Sequence, residues 1–131
     1  MGIILSKLPE LKTAEEDIVC YKEVKKLRSY RHGFLWLKKS TLYRSQYKGK
    51  LYESNKIYNS PLDIPESIIW TCGKDRYRTG SGFYSWKNRN HPLNIPNVVC
   101  IIPKGSIYYE VMDSDWSTVY ISNQIKIVEE L

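Results

Sequence analysis

The stretch TGSGFYSWKNRNHP, from Thr79 to Pro92, places two closely spaced glycines beside aromatic, basic and histidine side chains. Such a set could bind a phosphate or assist a proton transfer. A phosphate loop needs the order G-x-x-x-x-G-K-[ST], or three glycines that lead into a helix, and neither order occurs here. The glycines therefore indicate a turn in which a positive φ leads into a strand. His91 precedes a proline in an asparagine-rich loop, which is typical of a surface turn.

The remaining residues offer no catalytic set. Nucleophilic catalysis needs a nucleophile, a base and a group that orients the base. The chain has two histidines, His32 and His91, and neither lies in an elbow such as G-x-S-x-G. No H-x-x-x-H or C-x-x-C spacing occurs, and Asp113 and Asp115 lack the closing acid of a calcium loop. The sequence predicts no catalytic residue, no metal site and no cofactor, and it favours a protein that is not an enzyme.

A basic region at residues 22–56 is the strongest binding signal. It holds eleven Lys or Arg residues against two acids, whereas residues 109–131 hold five acids and one lysine. Aromatic residues alternate with the cations, as on β surfaces that stack bases and contact phosphates. The alternative is that the lysines are solvated strand faces, neutralised by the acidic C-terminal part. The candidate residues for binding an anion or nucleic acid are Arg28, Arg31, Lys38, Lys39, Arg44, Lys48 and Lys50.

Short antiparallel strands are the elements predicted to position these residues. The 131-residue chain is 42% hydrophobic and contains eleven tyrosines and four tryptophans. Few alanines and many β-branched and aromatic residues disfavour a helical bundle. We expect a mainly β or β-dominated α+β fold, as two small packed sheets or a partly open barrel. An N-terminal arm at residues 1–16 would precede a single compact domain at residues 17–131.

The clearest strand pair lies in VVCIIPKGSIYYEV. Val98–Ile102 is a continuous apolar run, as expected of a buried strand. A tight P-K-G turn follows, with Gly105 in the left-handed region. Ile107, Tyr109 and Val111 then share one face of the return strand.

Further strands and turns follow from composition and alternation. T-x-x-E at Thr13 could begin a helix, but IVCY suits a strand, so the conformation of residues 13–28 stays open. Ile125 and Ile127 share one face of the last strand. Polar turns are predicted at RSYRHG and GKDRYRTGSG, and a hairpin turn near Lys48-Gly49. Strands are predicted at Asp17–Val24, Phe34–Lys38, SIIWTC, FYSW, TVYI and QIKIV.

The cysteines and the N-terminus bear on location. Cys20, Cys72 and Cys100 lie among apolar residues, which predicts buried free thiols in a reducing cytoplasm. No apolar window is long enough for a membrane helix, and no cleavage site follows the first apolar run. Gly2 and Ser6 match the myristoylation pattern, although a strand or arm is the simpler interpretation.

Four segments resemble a group of small uncharacterised proteins of gut Bacteroidota and their phages: IVCYKEV, GFYSW, VVCIIPKGSIYY and YISNQIKI. The resemblance covers about residues 17–128. It implies a protein encoded by a phage or mobile element, for which a virion location and a structural role in an assembly are alternatives. Tyr84 stands where the group has histidine, so we expect no function that requires that histidine.

The order of these motifs is also loosely similar to ADP-ribosyltransferase-like folds, which bind NAD in a cleft between two small sheets. That similarity implies an alternative function as a NAD- or nucleotide-binding protein. Its cleft would be lined by Gly82, Phe83, Tyr84 and Trp86. No glutamate lies in a motif that matches a catalytic one. We therefore expect a non-catalytic binding or interaction protein whose partner is a protein or an anionic ligand.

Overall fold

A computed structural model of the chain describes residues 4–5, 8–32, 38–45, 50–63, 65–69, 75–90, 95–112 and 117–131. Within these ranges the chain forms strands and no helix, which confirms the prediction of a mainly β fold. The strands are β1 (Ile4–Leu5), β2 (Lys12–Thr13), β3 (Ile18–Lys22), β4 (Val24–His32), β5 (Lys38–Ser45), β6 (Leu51–Glu53), β7 (Ile57–Asn59), β8 (Glu66–Ile69), β9 (Asp75–Arg78), β10 (Phe83–Trp86), β11 (Val98–Ile102), β12 (Ile107–Met112), β13 (Thr118–Ser122) and β14 (Gln124–Glu130).

Eight of these strands form one antiparallel sheet, the large sheet, in the order β2-β12-β13-β10-β3-β11-β14-β7. It does not close into a barrel. Strands β4, β5 and β6 form a second sheet, called the basic sheet because it carries many of the Lys and Arg residues of the region 22–56. Strands β1, β9 and β8 form the small sheet. The prediction of packed antiparallel sheets is confirmed.

The basic sheet covers one face of the large sheet. Ile125 and Ile127 are 0% exposed there, which confirms that they share a buried face. Burying one such side chain contributes about 1.5–3 kcal/mol. The cluster between the two sheets contains Cys20, Val24, Tyr43, Tyr52, Phe83, Val98, Cys100, Ile102, Tyr120, Ile125 and Ile127.

The small sheet packs on the opposite face of the large sheet. Side chains alternate between the two faces of a strand, so residues next in sequence to members of the first cluster point to this opposite face and form a second cluster. Leu5 of β1 is buried here, and Tyr77 of β9 is half-buried against the same cluster. The other buried members are Tyr109, Val111, Val119 and Ile121.

The P-K-G turn forms as predicted between β11 and β12. Gly105 has φ +88°, and its amide donates to the carbonyl of Ala14 at 2.8 Å. The Lys104 amide donates to Asp17 Oδ1 at 2.8 Å, which anchors the turn to the segment before β3. Tyr109 and Val111 are buried on one face of the return strand, as expected.

The chain passes from the large sheet to the basic sheet across one residue, Glu23, between β3 and β4. The side chain of Asn97 binds both backbone groups of Val24 at this crossing. The Val24 amide donates to Asn97 Oδ1 at 3.0 Å, and Asn97 Nδ2 donates to the Val24 carbonyl at 2.6 Å. The Asn97 side chain thus makes the two backbone hydrogen bonds that a neighbouring strand would make to Val24.

Two predicted turns contain strands, so the turn predictions are wrong at residues 28–32 and 75–78. RSYRHG lies largely within β4, where it pairs with β5 around a β-bulge between Lys26 and Arg28. This part of the hairpin is exposed, so its sequence lacks the apolar alternation that identifies a strand. GKDRYRTGSG contains β9, which lies between β1 and β8. Residues 13–28 are strand apart from 14–17 and Glu23, and the predicted arm contains β1 and β2.

Some predictions fall outside the described residues. They concern Gly2, Ser6, Phe34–Leu37, Lys48-Gly49, Cys72, His91, Asp113 and Asp115.

Candidate anion-binding face

Three cations share the surface of the basic sheet that points away from the large sheet, called here the outer face. Lys25 of β4 pairs directly with Arg44 of β5, and Arg28 pairs with Leu42, two residues before Arg44. Directly paired residues and residues two apart lie on the same side of an antiparallel sheet. All three cations are exposed.

Backbone pairing fixes which side faces outward. Val24 and Tyr43, which alternate with the cations along β4 and β5, are 2% and 3% exposed beneath the sheet. Leu51 pairs with Arg44 on the outer face and is 48% exposed. In the described part of the chain, no carboxylate lies within ion-pair distance of Lys25, Arg28 or Arg44.

Tyr30 and Glu53 border the three cations. The Tyr30 hydroxyl donates to Glu53 Oε1, and this hydrogen bond raises the pKa of Tyr30, so the hydroxyl keeps its proton. The Arg28 guanidinium lies 5.6 Å from the centroid of the Tyr30 ring. The outer face therefore combines cations with an aromatic ring, and Glu53 removes part of its positive charge.

The other predicted binding residues lie elsewhere. Arg31 and Lys39 pair with each other, are exposed, and occupy the side opposite the outer face at the far end of the β4–β5 hairpin. The Lys50 ammonium lies 4.2 Å from the centroid of the Phe83 ring, towards the core. Lys38 begins β5 with a side chain outside the described part, and Lys48 is wholly outside it. The seven candidates do not form one face.

Lys25 belongs to the outer face although the sequence analysis does not select it. The predicted strand ended at Val24, so no face could be assigned to Lys25. Lys26, the next residue, is instead neutralised, because its ammonium lies 3.0 Å from Glu130 Oε1. The hydrogen bond from Lys26, followed by that from Tyr43, lowers the pKa of Glu130. At this one position, the Lys26–Glu130 pair supports the alternative interpretation that acids of the C-terminal part neutralise the lysines of the basic region.

Tyr43 makes stability depend on alkaline pH. Burial, then the hydrogen bond from its hydroxyl to Glu130, raises the pKa of Tyr43 from 10.0 to about 12. The unfolded chain releases this proton near pH ~10 and the folded chain does not, so the stabilisation is complete below about pH 10 and is lost as the pH rises to about 12. We expect the free energy of unfolding, measured with urea, to fall less steeply over this range in Tyr43→Phe. Equal slopes in the two proteins would contradict the assignment.

The four residues predicted to line a NAD cleft do not share one surface. Phe83 is 2% exposed and packs beneath the basic sheet, with its ring centroid 6.0 Å from that of Tyr52. Tyr84 and Trp86 pack against the cluster on the opposite face of the large sheet. Gly82 precedes them with φ +125°, which confirms the predicted positive φ at the entry to the strand.

The hydroxyl of Tyr84 is bound within the turn before its own strand. It donates to the Gly80 carbonyl at 3.0 Å and lies 2.9 Å from Thr79 Oγ1. Burial raises the pKa of Tyr84, so the hydroxyl stays protonated. Tyr84 therefore closes the 79–84 turn, and its hydroxyl has a structural role there.

A groove of about 920 Å³ lies beside β2. Its lining carries more acidic than basic side chains, which disfavours a phosphate ligand. The charged residues of this lining are Glu10, Lys12, Glu15, Glu16 and Asp17. The described residues hold no cluster of three or more side chains suited to a metal ion.

Comparison with known proteins finds no family model, no curated protein and no solved structure that matches the chain. Within the described ranges, no helix has the length and apolar character needed to cross a membrane. No relative indicates a role for the outer face of the basic sheet, so its role is inferred from its own three cations.

Proposed function

We propose that the chain is a non-catalytic binding protein that holds single-stranded nucleic acid on the outer face of the basic sheet. The observation that carries this proposal is the convergence of Lys25, Arg28 and Arg44 on one exposed face, with no ion pair among the described residues. Cations without carboxylate partners can exchange their bound water and counterions for phosphates.

The shape of the face favours a single strand over a duplex. The three cations lie on the three-stranded part of the basic sheet, where β4, β5 and β6 pair, and this is an open sheet surface rather than a helix of the kind that enters a major groove. Lys25 and Arg28 lie three residues apart on β4, a span of at most about 10 Å, so they can contact neighbouring phosphates of a flexible strand. The proposed location is the cytoplasm, or the virion if the chain is encoded by a phage.

Binding to a labelled single-stranded oligonucleotide, followed by fluorescence anisotropy against salt concentration, tests this function. Three phosphate contacts predict a slope of about −2 for log K against log salt. Binding that is undetectable at ~50 mM salt, or that does not weaken as salt rises, would contradict the proposal. A duplex of the same sequence that binds more tightly would overturn the choice of single strands.

The double variant Lys25→Ser with Arg44→Ser localises the contact. Each lost phosphate contact weakens binding roughly fivefold at ~0.1 M salt, so we expect the affinity to fall roughly 25-fold. The slope of log K against log salt should become less negative by about 1.4. The matched control is Arg89→Ser with Lys104→Ser, which removes two exposed cations outside the basic sheet. Equal losses in the two double variants would show that net charge, and not the outer face, drives binding.

A further inference from the structure

Cys20 and Cys100 lie directly opposite each other in the interior of the large sheet. They pair across β3 and β11, which are neighbouring inner strands of the sheet. Both thiols are free and 0% exposed. Their side chains point to the face that the basic sheet covers.

The geometry of this pair suits a disulfide. Opposite residues of an antiparallel pair have Cα atoms about 4.5–5.5 Å apart. A disulfide joins residues whose Cα atoms are about 4.4–6.8 Å apart. The backbone separation of this pair therefore lies in the range that a disulfide spans.

Two polar side chains accompany the thiols in this apolar layer. Ser85 of β10 is 3% exposed, and its hydroxyl has no oxygen or nitrogen partner among the described residues. Lys22 lies two residues after Cys20 on the same face of β3, and its ammonium group donates a hydrogen bond to the Tyr84 carbonyl. The ammonium also lies 5.8 Å from the centroid of the Tyr52 ring.

These neighbours make the two thiols unequal. Burial opposes ionisation of Cys20, but interactions with the Cys100 thiol, the Ser85 hydroxyl and the Lys22 charge outweigh it, so the pKa of Cys20 is lowered. Burial and the adjacent Cys20 raise the pKa of Cys100. The thiolate is the reactive form, so Cys20 is the nucleophile and Cys100 the second thiol.

We propose that Cys20 and Cys100 form a redox-active pair that a hydroperoxide converts into an intramolecular disulfide. The Cys20 thiolate attacks one peroxide oxygen, the O–O bond breaks, and Cys20 becomes a sulfenic acid as hydroxide leaves and takes up a proton. The Cys100 sulfur then attacks the Cys20 sulfur, the S–S bond forms, the S–O bond breaks, and the oxygen leaves as water. Two thiols and one hydrogen peroxide give one disulfide and two waters.

Access to the pair requires the basic sheet to part briefly from the large sheet, because both sulfur atoms are fully buried. Local openings of this kind occur in folded proteins below the free energy of global unfolding. Oxidation is therefore slow, and its rate is set by the population of the opened form together with the reactivity of the Cys20 thiolate.

Hydrogen peroxide treatment of the full chain under native conditions tests the proposal. Remaining thiols are alkylated, the protein is digested, and disulfide-linked peptides are identified by mass spectrometry. We expect a Cys20–Cys100 linked pair as the main product in the native chain, and the same product at the same rate in Cys72→Ser. Linkage through Cys72, or sulfinic acid at Cys20 without a linked product, would overturn the proposal.

Ser85→Ala separates a chemical role for the hydroxyl from a structural one. The substitution removes an oxygen without an oxygen or nitrogen partner among the described residues, so the melting temperature should stay the same or rise. Because the Ser85 hydroxyl is one of the groups that lower the pKa of Cys20, its loss should slow peroxide oxidation at neutral pH and move the pH–rate profile to higher pH. An unchanged rate and profile would contradict the activation of Cys20 by Ser85.

Discussion

Substituting alanine for Gly82 should lower the free energy of unfolding by about 4 kcal/mol. At φ +125° an L-residue is strained by about 1–3 kcal/mol. A Cβ at this position would also lie 2.8 Å from Ile121 Cγ2, 2.8 Å from Leu62 Cδ1 and 3.3 Å from the Ser122 carbonyl. Overpacking of this kind adds about 1–3 kcal/mol. Urea unfolding followed by tryptophan fluorescence measures the change.

Gly105→Ala is the matched control for this substitution. Gly105 also has a positive φ, +88°, but a Cβ there would meet no atom within 4 Å. The control therefore carries the backbone strain without the steric clash, and we expect a loss of about 1–2 kcal/mol. Equal losses at Gly82 and Gly105 would show that close packing against Ile121 and Leu62 contributes nothing.

Phe83→Ala should lower the free energy of unfolding by about 3–5 kcal/mol, because it leaves a cavity between the large sheet and the basic sheet. Phe83 packs edge-on against Tyr52 and lies beneath the Lys50 ammonium. Chemical denaturation measures the loss. A loss below ~1 kcal/mol would mean that the ring faces solvent, as a cleft residue would.

Tyr84→Phe is the conservative comparison for Phe83→Ala. It keeps the ring against the second cluster and removes the hydroxyl that binds Gly80 and Thr79. We expect a loss of about 2 kcal/mol, because two hydrogen bonds of about 1 kcal/mol each are removed. A loss as large as that of Phe83→Ala would contradict a role limited to the 79–84 turn.

Sequence alone predicts the strands whose apolar residues are buried. The run Val98–Ile102, the P-K-G turn and the pair Ile125 and Ile127 are found as expected, because burial imposes a pattern that can be read from residue type. The exposed half of β4 and the short strand β9 are missed. They are held by backbone hydrogen bonds to the adjacent strands β5 and β8, and backbone pairing does not require the apolar alternation by which a strand is recognised in a sequence.

The candidate binding face was only partly predictable. The basic region is evident from composition, but which cations converge depends on strand register and on the β-bulge between Lys26 and Arg28. A one-residue shift in register exchanges the two faces of a strand. For the same reason Arg28 and Arg44 fall on the outer face, whereas Arg31 and Lys39 fall on the other.

The cysteine pair shows the same limit more sharply. Each thiol is predicted to be buried and free, and Cys20 and Cys100 are confirmed in that state. Their proximity depends on the pairing of β3 with β11 across eighty residues of chain, and no local pattern reports it.

The single-residue crossing at Glu23 has a consequence for the order of folding during synthesis. The basic sheet uses only residues 24–53, so its contacts are local and can form as soon as that segment leaves the ribosome. Strand β3, joined to it by Glu23, has its partners in β10 and β11, which are made only after residues 83–102 are translated. Until then β3 is an unpaired strand beside the basic sheet, and unpaired strand edges make a nascent chain prone to aggregation.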